Sequence, residues 1–242
     1  MSQMANLLEV DDLHVAYGKA RVVHGVSLTV GQGEFVAVLG RNGAGKSTTL
    51  HAISGLIAKR GGSVRFDGED ITNVTARDIV RAGLLQVLEG HRIFTSLTVE
   101  DNLLIGTYVR ARRGDRSKLD RMYDLFPELA DRRYEAASRL SGGQQQILAV
   151  AQGIIGEPRL LLLDEPSGGL APVVVDRILD VASELSRAGV AILLVEQLVE
   201  KATSHAHRCY LMDTGRIVHQ APAADILGSD ILHEIYLGGS AR

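Results

Sequence analysis

The chain has 242 residues, 45% of them hydrophobic and 23% charged, with 26 Lys and Arg against 29 Asp and Glu and a formal net charge of −3. That balance argues against a surface built to condense on nucleic-acid phosphates, which calls for a clear basic excess, while leaving room for local basic patches, and a chain of this length buries enough surface to need neither disulfides nor a structural metal. Cys209 is the single cysteine, which excludes an intrachain disulfide and a multi-cysteine metal cluster and reads as a small buried hydrophobe.

No apolar run approaches the ~20 residues that cross a bilayer; the longest, Leu160 to Leu163 and Ala191 to Val195, are strand-sized. The start, MSQMANLLEVDD, lacks the basic-then-apolar pattern of a secretion signal. The stretches around Leu7 to Tyr17, Val22 to Val30 and Ser63 to Asp67 are β-branched and separated by glycine turns, which predicts an antiparallel sheet beside the main one. Glu34 to Leu39 is a continuous apolar run ending at Gly40 and predicts a buried strand, and Ser47 to Ser54 a helix closed by Gly55. Further buried strands are expected at Leu84 to Val87, Arg159 to Leu163 and Val190 to Val195. Between them, Thr98 to about Gly156 reads as helical almost throughout. Thr98 and Asp101 form a capping pattern, Leu103, Leu104 and Val109 an apolar stripe, and Lys118 to Phe126 an amphipathic segment ahead of Pro127. Arg112, Arg113 and Arg116 make the 110–118 segment a basic loop, read as a solvated helix connection in preference to a phosphate-binding patch. Alternating strands and helices predict an α/β fold with a mostly parallel sheet.

The chemistry begins at Gly40. Gly40-Arg41-Asn42-Gly43-Ala44-Gly45-Lys46-Ser47 fits G-x-x-x-x-G-K-[ST] between a buried strand and a helix. Its glycines let backbone N–H groups turn around a polyphosphate at a helix N-terminus. Lys46 is placed to reach the β- and γ-phosphates and the Ser47 hydroxyl to meet Mg²⁺. Leu160 to Leu163 then delivers Asp164 and Glu165 to the carboxyl edge of the sheet, where parallel α/β sheets bind ligands. Alone, an acidic pair there serves equally as a turn into Pro166. Beside a phosphate loop it assigns Asp164 to the Mg²⁺ shell and Glu165 as the general base on water. Ser141 with Gln144 forms a capping box, and Gly142 and Gly143 between them expose N–H groups as a second anion site.

LSGGQ between GRNGAGKS and LLLLDEP resembles the ATP-binding cassette (ABC) ATPases over essentially the whole chain. The resemblance implies a P-loop NTPase with a RecA-like parallel core, an N-terminal antiparallel β subdomain and an inserted helical subdomain. One ABC ATPase domain would span 7–239, its core 7–90 and 157–239, its helical signature subdomain about 91–156. It implies ATP and Mg²⁺ as cofactors and a phosphate-loop site running from Gly40 through Arg41, Asn42, Gly43, Ala44, Gly45, Lys46 and Ser47 to Thr48. Tyr17, in HVAYGK, matches the aromatic that stacks on adenine. Ser141, Gly142, Gly143 and Gln144 would close over the nucleotide of a partner ATPase, in a hetero- or homodimer. Ser167-Gly168-Gly169-Leu170 lies where the dimer-contacting turn belongs, with Gly168 where Leu is more usual, a change that would loosen the turn.

Two positions depart from the family pattern. Glu89 stands where a glutamine normally couples nucleotide to the helical subdomain, and still offers a carboxylate to Mg²⁺ or its water. Gln197 stands where most relatives carry the switch histidine; it donates a hydrogen bond toward the γ-phosphate but carries no proton at pH 7. VLEGHRIF, SGGLAP and LLVEQ resemble segments of the shorter of the two ATPases that energise branched-chain amino-acid importers (LivF-type), with Leu88 for the usual Pro and His91 for a usual Arg. That implies a peripheral subunit on the cytoplasmic face of the plasma membrane, with two integral-membrane permease subunits and an external solute-binding protein, and no nucleic-acid partner. An importer for urea or short amides would keep every motif; a soluble ABC ATPase working on ribosomes or DNA usually carries two cassettes or a long coiled-coil insertion, and this chain has neither.

Overall fold

The computed structural model describes residues 6–90, 92–109, 116–228 and 232. The chain opens with an antiparallel hairpin, β1 (Asn6–Tyr17) and β2 (Ala20–Gly31). β3 (Phe35–Leu39) leaves it to found a second sheet and is followed by α1 (Lys46–Ile53). β4 (Gly61–Phe66) and β5 (Glu69–Asp70) return to the first sheet, whose order is β2-β1-β4-β5. After α2 (Ala76–Ala82), β6 (Leu84–Val87) enters the second sheet. The helical stretch follows as α3 (Val99–Gly106), α4 (Leu119–Leu125), α5 (Pro127–Ala130) and α6 (Gly142–Ile154). The core resumes with β7 (Leu160–Asp164), α7 (Pro172–Arg187), β8 (Ala191–Glu196) and α8 (Val199–Thr203), and β9 (Arg208–Asp213), β10 (Arg216–Pro222) and α9 (Ala223–Ile226) complete the described elements.

The second sheet runs β10-β9-β3-β8-β7-β6, every neighbouring pair parallel except the edge strand β10. Every residue of β3, β7 and β8 is buried, as their unbroken apolar runs demand of strands covered on both faces. Alternate side chains serve alternate faces. Phe35, Ala37, Leu161, Leu163, Ile192 and Leu194 join the core shared with α3 to α7, while Val36, Val38, Leu160, Leu162, Leu193 and Val195 pack toward the β1–β2 hairpin and α1. Cys209 lies fully buried in the first of these cores, and burial pushes its thiol up to about 12.

An ion pair welds the two sheets. Glu34 carboxylate oxygens lie 2.9 and 3.0 Å from Arg208 Nε and Nη2, Gly31 N–H donates to Glu34 at 2.7 Å, and Arg208 also donates to the Thr29 carbonyl and the Tyr210 hydroxyl. In the helical stretch the predicted Thr98 cap is present, its hydroxyl accepting from Asp101 N–H at 3.0 Å, and Leu103 is buried. The predicted basic connection falls largely outside the described residues, which exclude Arg112 and Arg113, as does His91; Arg116 pairs with the buried Glu100 at 2.6 Å.

Candidate nucleotide-binding site

Register places the chemistry. Leu39 of β3 pairs with Glu196 of β8, and Asp164 of β7 with Val195, so the glycine loop, the acidic pair and Gln197 all emerge from adjacent strand ends.

The loop is built on close approach. A Cβ on Gly40 would lie 2.2 Å from the Met212 carbonyl of β9, so the backbone there passes only as glycine. Gly45 adopts φ +103 and N-caps α1 without a side-chain cap, leaving the first-turn N–H groups for a ligand. Gly215 N–H donates to the Ala44 carbonyl at 2.8 Å, pinning the loop to the β9–β10 turn. Arg41, Asn42 and Gly43 are exposed, Ala44, Gly45 and Lys46 buried, and Ser47 and Thr48 half-buried. Lys46 Nζ donates to the carbonyls of Gly40 (2.9 Å) and Arg41 (3.1 Å) and lies 2.8 Å from Glu165 Oε1. Gly43, Gly45, Ser47, Thr48 and Glu165 surround a cavity of about 130 Å³ at this point.

Asp164 is 2% exposed. Its Oδ2 lies 3.3 Å from His51 Nε2 and 3.4 Å from the Gln86 amide nitrogen, and Gln86 in turn accepts from the Ser54 hydroxyl at 2.6 Å. Burial pushes the Asp164 carboxyl up; the Ser47 hydroxyl and His51 oppose this, Glu165 and Glu89 reinforce it, and the net shift is upward. Asp164 Oδ1 is buried without a hydrogen-bond partner. An orphaned carboxylate oxygen beside a serine hydroxyl is the donor set of a hard divalent cation, whose other oxygens would come from phosphates and water. Among the described residues no group of three His, Cys, Asp or Glu gathers into a metal cage.

Glu165 sits at φ +42, a strained conformation for a non-glycine residue, held by its N–H on the Val195 carbonyl at 3.1 Å. Glu89 lies exposed just beyond β6, close enough for its charge to act on Asp164. Gln197 is exposed at the end of β8, and Tyr17 closes β1 at 51% exposure. The 167–170 turn is closed by Gly168 N–H on the Glu165 carbonyl and Leu170 N–H on the Ser167 carbonyl, and Gly169, not Gly168, takes the positive φ.

Ser141 and Gln144 form the reciprocal capping box at the start of α6, at 3.0 and 3.3 Å. A Cβ on Gly143 would strike Val174 of α7 at 2.9 Å, whereas Gly142 faces open space. Both glycines stand in the first turn of α6, on the helical subdomain and apart from the phosphate loop's own elements.

Sequence reasoning missed His51, Ser54, Gln86 and Glu196. The first two carry a readable signal: Ser47, His51 and Ser54 recur at helical spacing on one face of α1. Gln86 and Glu196 signal only as polar residues inside otherwise apolar strands.

A glycine loop joining a buried strand to a helix, a lysine inside it and an acidic strand end beside it define a P-loop nucleotide-binding cassette. Residues 23–168 match a family model described as ABC transporter. The chain is 39% identical to the high-affinity branched-chain amino acid transport ATP-binding protein BraG of Pseudomonas aeruginosa, over 96% of this chain and 100% of that one. It is 30% identical to the lipopolysaccharide export system ATP-binding protein LptB of Escherichia coli K12, over 97% and 98%. Among solved structures, a nucleotide-free ATP-binding cassette from an ABC transporter superposes with a TM-score of 0.85 at 24% identity, covering 97% of this chain and 100% of that one. The chain belongs to the ABC transporter family and is an ATP hydrolase. No described helix is long and apolar enough to cross a membrane.

Proposed function

We propose that this chain energises an importer for branched-chain amino acids or closely related small amino acids. The observation that carries the reading is the end-to-end match to BraG at 39%, against 30% for the lipopolysaccharide-export relative. In this reading ATP would stack on Tyr17 and lie along Gly40 to Thr48, Ser47 and Asp164 would hold Mg²⁺, and Glu89 would add a carboxylate near it. The cation would neutralise phosphate charge and polarise the terminal phosphoryl group. Lys46 leaves Glu165 for the phosphates, Glu165 takes the proton of the attacking water, and Gln197 orients the γ-phosphate side. Ser141 to Gln144 complete the nucleotide site of a second ATPase subunit, a paralogue or another copy of this chain.

Permease subunits would dock on a largely apolar groove of about 290 Å³ between α2, β6, α3 and α6, where Val80, Val87, Leu88, Ile105 and Ala149 line a surface that also holds Gln86 and Arg92. In this reading the chain sits peripherally on the cytoplasmic face of the membrane, with an external solute-binding protein supplying selectivity.

The deciding experiment is affinity purification of the tagged chain from its native membranes, followed by reconstitution of the captured complex in proteoliposomes. Two permease chains and ATP turnover stimulated by leucine, isoleucine or valine with the binding protein are the expected result. Capture of a lipopolysaccharide exporter, or turnover answering only to urea or amides, overturns the reading.

A further inference from the structure

Glu196, the last residue of β8, is a carboxylate only 1% exposed with no cationic partner among the described residues. It accepts three backbone N–H groups instead. Oε1 takes Ser167 N–H at 3.1 Å, and Oε2 takes Gln197 N–H at 2.8 Å and Leu198 N–H at 3.2 Å. Burying a carboxylate is costly unless its lone pairs are satisfied, and charge-assisted bonds to N–H groups are among the stronger hydrogen bonds. These three donors come from two different segments. Ser167 lies two residues beyond Glu165, and Gln197 begins the stretch that leaves β8.

From this we infer that Glu196 is a positioning residue for ATP hydrolysis, clamping the segment after Glu165 to the segment that carries Gln197 so that both side chains are presented together. The inference builds on the roles proposed above for Glu165 and Gln197. The strained φ of +42 at Glu165 needs surrounding contacts that over-determine it, and the Glu196 bond to Ser167 is such a contact on the downstream side, as the Val195 carbonyl is on the Glu165 N–H itself. A glutamine at 196 keeps the volume but turns one acceptor into a donor facing an N–H, so it opens the clamp on one side. An aspartate keeps both acceptors but is a methylene too short to reach both segments.

The test is steady-state ATP hydrolysis by the full chain carrying Glu196→Gln or Glu196→Asp, with amide hydrogen exchange read at Ser167, Gln197 and Leu198. The expected result is a fall in kcat of tenfold or more with the ATP KM within threefold of the parent, and faster exchange at these amides in both variants. Glu34→Gln, which loosens a different carboxylate cluster, is the control. If kcat stays within twofold, if KM rises while kcat holds, or if Glu34→Gln loses as much kcat, the positioning role is overturned. Should Glu196→Gln fail to fold, Glu196→Asp carries the same criteria. Turnover retained in Glu165→Gln but lost in Glu196→Gln removes the base assignment and leaves the clamp standing, whereas the opposite pattern sinks the clamp alone.

Discussion

Lys46 Nζ and Glu165 Oε1 stand 2.8 Å apart, with the lysine side chain 2% exposed and the carboxylate 20%. The cation that a polyphosphate would recruit and the carboxylate that would activate water are therefore ion-pair partners. On the proposed roles, a phosphate taking the place of Glu165 beside Lys46 would remove the attraction holding that carboxylate inward, so one exchange of partners would both bind the nucleotide and free the base.

Lys46→Ala should weaken ATP binding at least tenfold, about 1.4 kcal/mol, because it removes the only buried cation of the loop among the described residues. A fluorescent-nucleotide titration reads this directly. Unchanged affinity would contradict the pocket built around this lysine.

Glu165→Gln should keep ATP affinity at the parent value or above it, since Lys46 then has no anionic partner to leave. Turnover should drop by about 10²-fold or more, the usual scale of a lost general base. Parallel measurements of phosphate release and nucleotide binding separate the two effects; persistent turnover would remove Glu165 as the base.

The glycines of the loop should differ sharply under the same substitution. Gly40→Ala drives a methyl into the Met212 carbonyl, 2.2 Å away, and should cost about 3 kcal/mol or more, with a marked fall in Tm. Gly43→Ala meets open space and suffers only its φ of +81, about 1–2 kcal/mol. Similar melting temperatures for the two variants would refute the close-packing account.

Acid should loosen the joint between the sheets through Glu34. Burial opposes its ionisation, but hydrogen bonds from Arg208 and Gly31 prevail and its pKa is lowered from 4.5. A depressed carboxylate contributes stability above its unfolded pKa and loses it as pH falls through the folded one. Glu34→Gln should therefore cost about 1–2 kcal/mol at neutral pH, allowing for partial solvent screening. The gap between variant and parent should close below about pH 4.5 in urea unfolding curves. A gap constant with pH would assign the loss to packing.

The parallel core was legible because β3, β7 and β8 are apolar at nearly every position, and the phosphate loop because its glycines and lysine have a fixed spacing after such a strand. The β9–β10 pair was not. Arg208 to Asp213 begins and ends on charges, and Arg216 to Pro222 alternates only weakly at a sheet edge. α7 was not legible at its start, because Val173, Val174 and Val175 form a β-branched run that masks the helical period of the residues after it. In the site, Lys46 stands beside Glu165 and the Ser47 hydroxyl beside Asp164. What sequence could not supply was the filling between them. His51 and Gln86 reach Asp164 from α1 and β6 only because register and helix phase bring them there.

Cys209 gives this chain an unusual experimental background. Its sulfur is sealed between sheet and helices, and with the thiol pushed up to about 12 it holds almost no thiolate at neutral pH. A thiol introduced on an exposed signature position such as Gly142, or on the outward face of the phosphate loop, would be the one that a maleimide dye or a spin label finds. Distances between such labels on two cassettes could then be followed through a nucleotide cycle without first engineering away a native cysteine.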